Sequence, residues 1–128
     1  MTKELIQKLI GRARSAADNA YCPVTEVAVG ACLLTNTNQM VMGCNLEFEA
    51  APQIFAGEAA LMKSVSEGML NFSALALWAE NIMPYPNALE LERLAEFNPV
   101  LDIIVAQGDT FVVHKLHELL PRRRVYGN

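Results

Sequence analysis

No two cysteines of this sequence stand at Cys-x-x-Cys spacing. Cys22, Cys32 and Cys44 are well separated and odd in number. That argues against a disulfide framework and reads as free thiols in a reducing compartment, so a cytoplasmic protein is expected. Histidine is scarce too. His114 and His117 read as surface or core side chains rather than metal ligands. The first twenty residues lack a continuous apolar run, so neither a signal peptide nor a membrane span is expected there. An excess of basic residues is also missing. Ten Lys and Arg against fourteen Asp and Glu give a net charge of −4. That argues against a nucleic-acid surface, despite the run Arg122-Arg123-Arg124. No internal repeat or low-complexity segment breaks the chain.

What is present fits one domain over residues 1–128, with 52% hydrophobic residues to build a core. Apolar spacing predicts a helix over about residues 2–19, capped by Thr2. Strands are expected over 26–35 and 39–45, joined by the turn Asn36-Thr37-Asn38. Gly30 inside the first suggests a bulge or a close backbone approach. A helix over about 55–67 ends at Gly68, then a buried strand at 74–79 leads to the rigid loop Pro84-Tyr85-Pro86. A helix at 87–97, strands at 101–107 and 110–113, and a short helix at 116–120 complete a mixed sheet covered by helices.

The stretch from Gly43 to Gly68 has the form of a binding site. Asn45 and Glu47 sit where a strand gives way to a loop, and Glu58 lies at the start of the next helix. A helix start offers free backbone N–H groups.

Several short runs follow one another in order over residues 12–121: Tyr21-Cys22-Pro23, Val29-Gly30-Ala31, Leu33-Leu34-Thr35, Gly43-Cys44-Asn45-Leu46-Glu47, Ser64-Val65-Ser66-Glu67-Gly68 and Glu118-Leu119-Leu120-Pro121. Together they resemble the small homotetrameric cytidine deaminases. The resemblance implies a three-layer α/β/α fold with a mixed five-stranded sheet, a homo-oligomer (tetramer or dimer), and zinc-dependent hydrolytic deamination of cytidine. In that chemistry zinc lowers the pKa of a bound water and a glutamate shuttles protons. The ligands are a His or Cys two residues before the glutamate and two thiolates of a Pro-Cys-x-x-Cys.

Those ligand types are missing from the matching positions. Aligned back from Lys63 and Gly68, Phe55 stands at the ligand and Gly57 at the glutamate. Aligned forward from Asn45 and Glu47, Ala56 stands at the ligand and Glu58 at the glutamate. Both registers stay open here. In the first, Glu58 replaces an arginine. The two thiolates fall on Asn87 and Glu90, whose spacing suits a capping box. Phe55, Asn87 and Glu90 are therefore expected to be altered metal-site positions, and no cofactor is expected.

The resemblance assigns Asn45 and Glu47 to the ribose hydroxyls of a nucleoside; the plainer reading is a strand end and a solvated carboxylate. Val27 stands where the family stacks an aromatic near the base. Tyr126 is the candidate for an aromatic lent to a neighbouring subunit. Glu47, Glu49, Glu58 and Glu90 could converge as an acidic cluster. The expectation is a member that has lost zinc and deaminase activity, and that binds a nucleoside-like ligand or has a regulatory or structural role. The alternatives are an atypical nucleoside-processing hydrolase using Glu58 as its catalytic residue, and a non-catalytic subunit of an active deaminase.

Overall fold

The computed structural model describes residues 1–120. Thr2 begins the first helix by accepting the Leu5 N–H on its hydroxyl at 3.1 Å, a cap worth about 1 kcal/mol. Helix α1 runs Lys3–Ala17 and buries Leu9, Ile10, Ala13 and Ala17 on one face. Strands β1 (Val29–Thr35) and β2 (Met40–Cys44) form a hairpin. Helix α2 (Ala56–Ser66) ends before Gly68, whose φ of 86° suits a glycine. Strand β3 (Phe72–Ala79), helix α3 (Ala88–Phe97), strands β4 (Asp102–Gln107) and β5 (Thr110–Lys115), and the short helix α4 (Leu116–Leu119) follow.

The sheet has five strands in the order β2-β1-β3-β4-β5. Only β3 and β4 are parallel; the other neighbours pair antiparallel. Strand side chains alternate between faces, and the two faces have separate cores. Cys32, Leu34, Ala76, Trp78 and Ile104 pack with α1. Ala31, Leu33, Leu75, Leu77, Ile103 and Val105 pack with Ala60 and Leu61 of α2 and Leu91 and Leu94 of α3. The result is the expected α/β arrangement with a mixed five-stranded sheet.

Gly30 is a close approach. A Cβ there would lie 1.8 Å from the Ala13 carbonyl oxygen, so α1 rests directly on the strand backbone. Two boundaries differ from the sequence reading. β1 begins at Val29 because Glu26 turns the chain with φ 60°. β5 extends to Lys115 because pairing with β4 continues to Asp102. Among the thiols Cys32 is buried, and Cys22 and Cys44 are half-buried. Burial pushes the Cys32 thiol up to about 11.

Candidate ligand cavity

Three connections meet at one end of the sheet: residues 18–28 before β1, 45–55 between β2 and α2, and 80–87 between β3 and α3. Between them lies a cavity of about 300 Å³, lined by Val27, Asn45, Glu47, Phe55, Tyr85 and Glu90 among others. That volume is at the lower end of the range for small-molecule sites.

Asn45 and Glu47 come together there, and both are buried. Asn45 is bonded by side chain to the loop before β1. Its Nδ2 donates to the Val27 carbonyl at 2.8 Å, and its Oδ1 accepts the Val29 N–H at 2.9 Å. Glu47 Oε1 accepts the N–H groups of Val24 and Thr25, both at 3.0 Å. Its Oε2 accepts the Thr25 hydroxyl at 2.7 Å. The Thr25 backbone and hydroxyl bonds, with that from Val24, hold the Glu47 carboxyl below its ordinary pKa against the opposing effect of burial. The solvated reading of Glu47 is thus corrected. The pair shapes the turn in which Glu26 takes its left-handed conformation.

Phe55 is the N-cap residue of α2 and lines the cavity. Asn87 caps α3 and forms the expected reciprocal box. The Glu90 N–H donates to Asn87 Oδ1 at 2.7 Å, and the Asn87 N–H donates to Glu90 Oε1 at 3.1 Å. Asn87 itself is not among the lining residues. Glu90 is 3% exposed and does line the cavity. Burial pushes its carboxyl up to about 7, although the backbone N–H groups of Asn87 and Gly57 pull the other way.

Glu58 is not brought to the cavity. It lies in the first turn of α2, buried, and pairs with the guanidinium of Arg93 on α3. The expected acidic cluster is accordingly halved. Glu47 and Glu90 share the cavity, Glu49 is exposed, and Glu58 is neutralised elsewhere. Among the described residues, no three His, Cys, Asp or Glu side chains are grouped as a metal site would need. Val27 lines the cavity. Tyr126 lies outside the described residues.

Sequence reasoning missed three participants. Thr25 bonds Glu47 across 22 positions, and no local pattern marks that. Arg93 meets Glu58 only through helix packing. Tyr85 sits at the rim and hydrogen-bonds His114 Nε2 at 3.0 Å; an aromatic held between Pro84 and Pro86 was a readable hint.

Comparison with known proteins agrees with this architecture. Residues 3–84 match the family described as the cytidine and deoxycytidylate deaminase zinc-binding region. A cytidine deaminase of Sporosarcina psychrophila is 36% identical over 94 residues, 72% of this chain and 69% of that protein. A cytidine deaminase of Halalkalibacterium halodurans is 35% identical over 81 residues, 62% of this chain and 61% of that protein. The crystal structure of cytidine deaminase from Burkholderia pseudomallei superimposes with a TM-score of 0.88 and 27% identity, covering 97% of this chain and all of that one.

Proposed function

This chain belongs to the cytidine and deoxycytidylate deaminase family, and from that premise we propose that it binds a nucleoside-like small molecule without zinc and without hydrolytic deamination. The observation that carries the reading is the donor set where α2 and α3 begin. Zinc sites are built from thiolates, imidazoles and carboxylates. Phe55 has no donor atom, and the Asn87 amide oxygen is already taken by the Glu90 N–H. No Cys or His lines the cavity among the described residues. One carboxyl, Glu90, is a poor fit to a three-ligand zinc site, so no reaction step is derived through the metal.

Two direct links support the same reading, because they join α2 to α3 without a metal. The Gly57 N–H lies against the Glu90 carboxyl and favours its ionised form, and Arg93 pairs with Glu58. The direction of Gly57 toward Glu90 favours the register with Gly57 at the glutamate's place and Glu58 at the arginine's. A carboxylate paired with arginine is a weak proton shuttle, which weighs against Glu58 as an acid or base.

Ligand binding is supported by the cavity and by spare capacity in its polar pair. Asn45 has a second amide N–H, and Glu47 Oε2 has a free acceptor position, both suited to a diol. A homo-oligomer, tetramer or dimer, and a cytoplasmic setting complete the proposal. The free thiols fit a reducing compartment. No helix among the described residues is long and apolar enough to cross a membrane.

The test is a thermal-shift panel of pyrimidine and purine nucleosides. At least one is expected to raise Tm, with the rise reduced in Glu47→Gln. A panel without any hit overturns the reading.

A further inference from the structure

The geometry points to Glu90, reaching from α3 into the space left by the missing side chain of Gly57 on α2, as the group that reads the N–H-bearing edge of the ligand's heterocycle. This inference rests on the nucleoside-like reading of the cavity and deepens it.

The two residues are matched in shape. A Cβ on Gly57 would lie 2.6 Å from Glu90 Oε2 and 3.3 Å from Leu75 Cδ2. Any side chain at position 57 therefore displaces the carboxyl. Glycine in the first turn of a helix has a cost relative to alanine, and here it opens the place that Glu90 fills.

Glu90 is fixed but not exhausted. Its Oε1 accepts the Asn87 N–H at 3.1 Å, and the Gly57 backbone N–H favours the ionised form of the carboxyl. When ionised, a carboxyl offers about four acceptor positions, so at least two remain. Its fixing bond comes from backbone, which holds the group in place without a mobile partner.

The other buried polar groups of the cavity are more committed. Asn45 is bonded to Val27 and Val29, and Glu47 to Val24 and Thr25. Much of the remaining wall is apolar, including Val29, Ala56, Leu77 and Met83. A buried carboxyl with open acceptor positions among such neighbours gains most from a ligand that donates to it. Amino and ring N–H groups of a planar heterocycle are such donors. The hydroxylated part of the same ligand then faces Asn45 and Glu47.

Titration calorimetry with cytidine, uridine, N4,N4-dimethylcytidine and 3-methyluridine tests this. The methylated probes lack the N–H groups in question. Wild type is expected to bind a parent nucleoside at least tenfold more tightly than its methylated form. Glu90→Gln and Gly57→Ala should each weaken the parent at least tenfold and flatten that discrimination. Gly57→Ala improves helix propensity, so its effect does not depend on an unfolded chain. Parent binding within twofold of wild type in both variants, with discrimination intact, overturns the role of Glu90 alone. Failure of wild type to bind either parent overturns it together with the nucleoside reading.

Discussion

Arg93 of α3 closes on the carboxylate of Glu58 in the first turn of α2, an ion pair with one member buried and the other half in water. Removing Arg93 leaves a buried charge behind. Arg93→Ala should cost about 2 kcal/mol, below the ~3–5 kcal/mol for a wholly buried pair because Arg93 is partly solvated. Adding Glu58→Gln to that variant should recover part of the loss. Urea unfolding of both single variants and the double variant measures the coupling; additive effects would show that the pair contributes nothing.

Glu90 sets a dependence on pH. Its folded pKa of about 7 lies above the ordinary 4.5, so the folded state holds its proton more tightly than the unfolded state. Stability from this group is full below pH 4.5 and falls as pH rises to about 7, by roughly 3 kcal/mol from the shift. Glu47 acts oppositely, since its pKa is lowered. Its contribution is present above the unfolded pKa and is lost as pH falls through the folded one. Glu90→Gln should therefore gain stability relative to wild type between pH 5 and 8. A constant difference across that range in urea unfolding contradicts the assignment.

Two glycines should respond in opposite ways. Gly30→Ala places a methyl 1.8 Å from the Ala13 carbonyl oxygen. Neither backbone can yield without moving α1, so a loss of about 3 kcal/mol or more is expected. Gly11 on α1 has nothing within 4 Å of its Cβ position, and Gly11→Ala should gain about 0.5–1 kcal/mol. Thermal unfolding compares them directly.

Metal removal is expected to change nothing. Dialysis against a chelator should leave Tm within about 1 °C, because metal binding that stabilises a fold is lost with the metal. Elemental analysis should find far less than one zinc per chain. A stoichiometric zinc, or cytidine converted to uridine by the protein, would sink the proposed loss of the metal site.

A phosphate should be rejected. Two carboxyls, Glu47 and Glu90, line the cavity, and no Lys, Arg or His joins them among the described residues. Such a site repels an anion. A 5′-monophosphate should bind at least tenfold more weakly than its nucleoside, with the gap shrinking as salt is raised. Equal affinities would show that cationic groups from elsewhere complete the cavity.

Much of the fold was legible because it rests on local periodicity. The alternating Leu and Ala residues of β3 mark a strand buried on both faces, and the spacing of Leu9, Ile10 and Ala13 marks a helix face. The box of Asn87 and Glu90 was readable because both partners lie within one turn. The site was less so. Asn45 and Glu47 were visible as a pair, yet their partners Val24, Thr25 and Val27 come from another loop.

By itself, then, the sequence determined the order of helices and strands, the caps, and the residue types at each site position, since these depend on neighbours along the chain. Only the tertiary structure decided which carboxyl faces the cavity. Glu58 and Glu90 each occupy the third position of a helix. The packing of α2 against α3 turns Glu58 toward Arg93 and leaves Glu90 beside Gly57. That difference is one of position relative to a distant helix, and hydrophobic spacing carries no record of it.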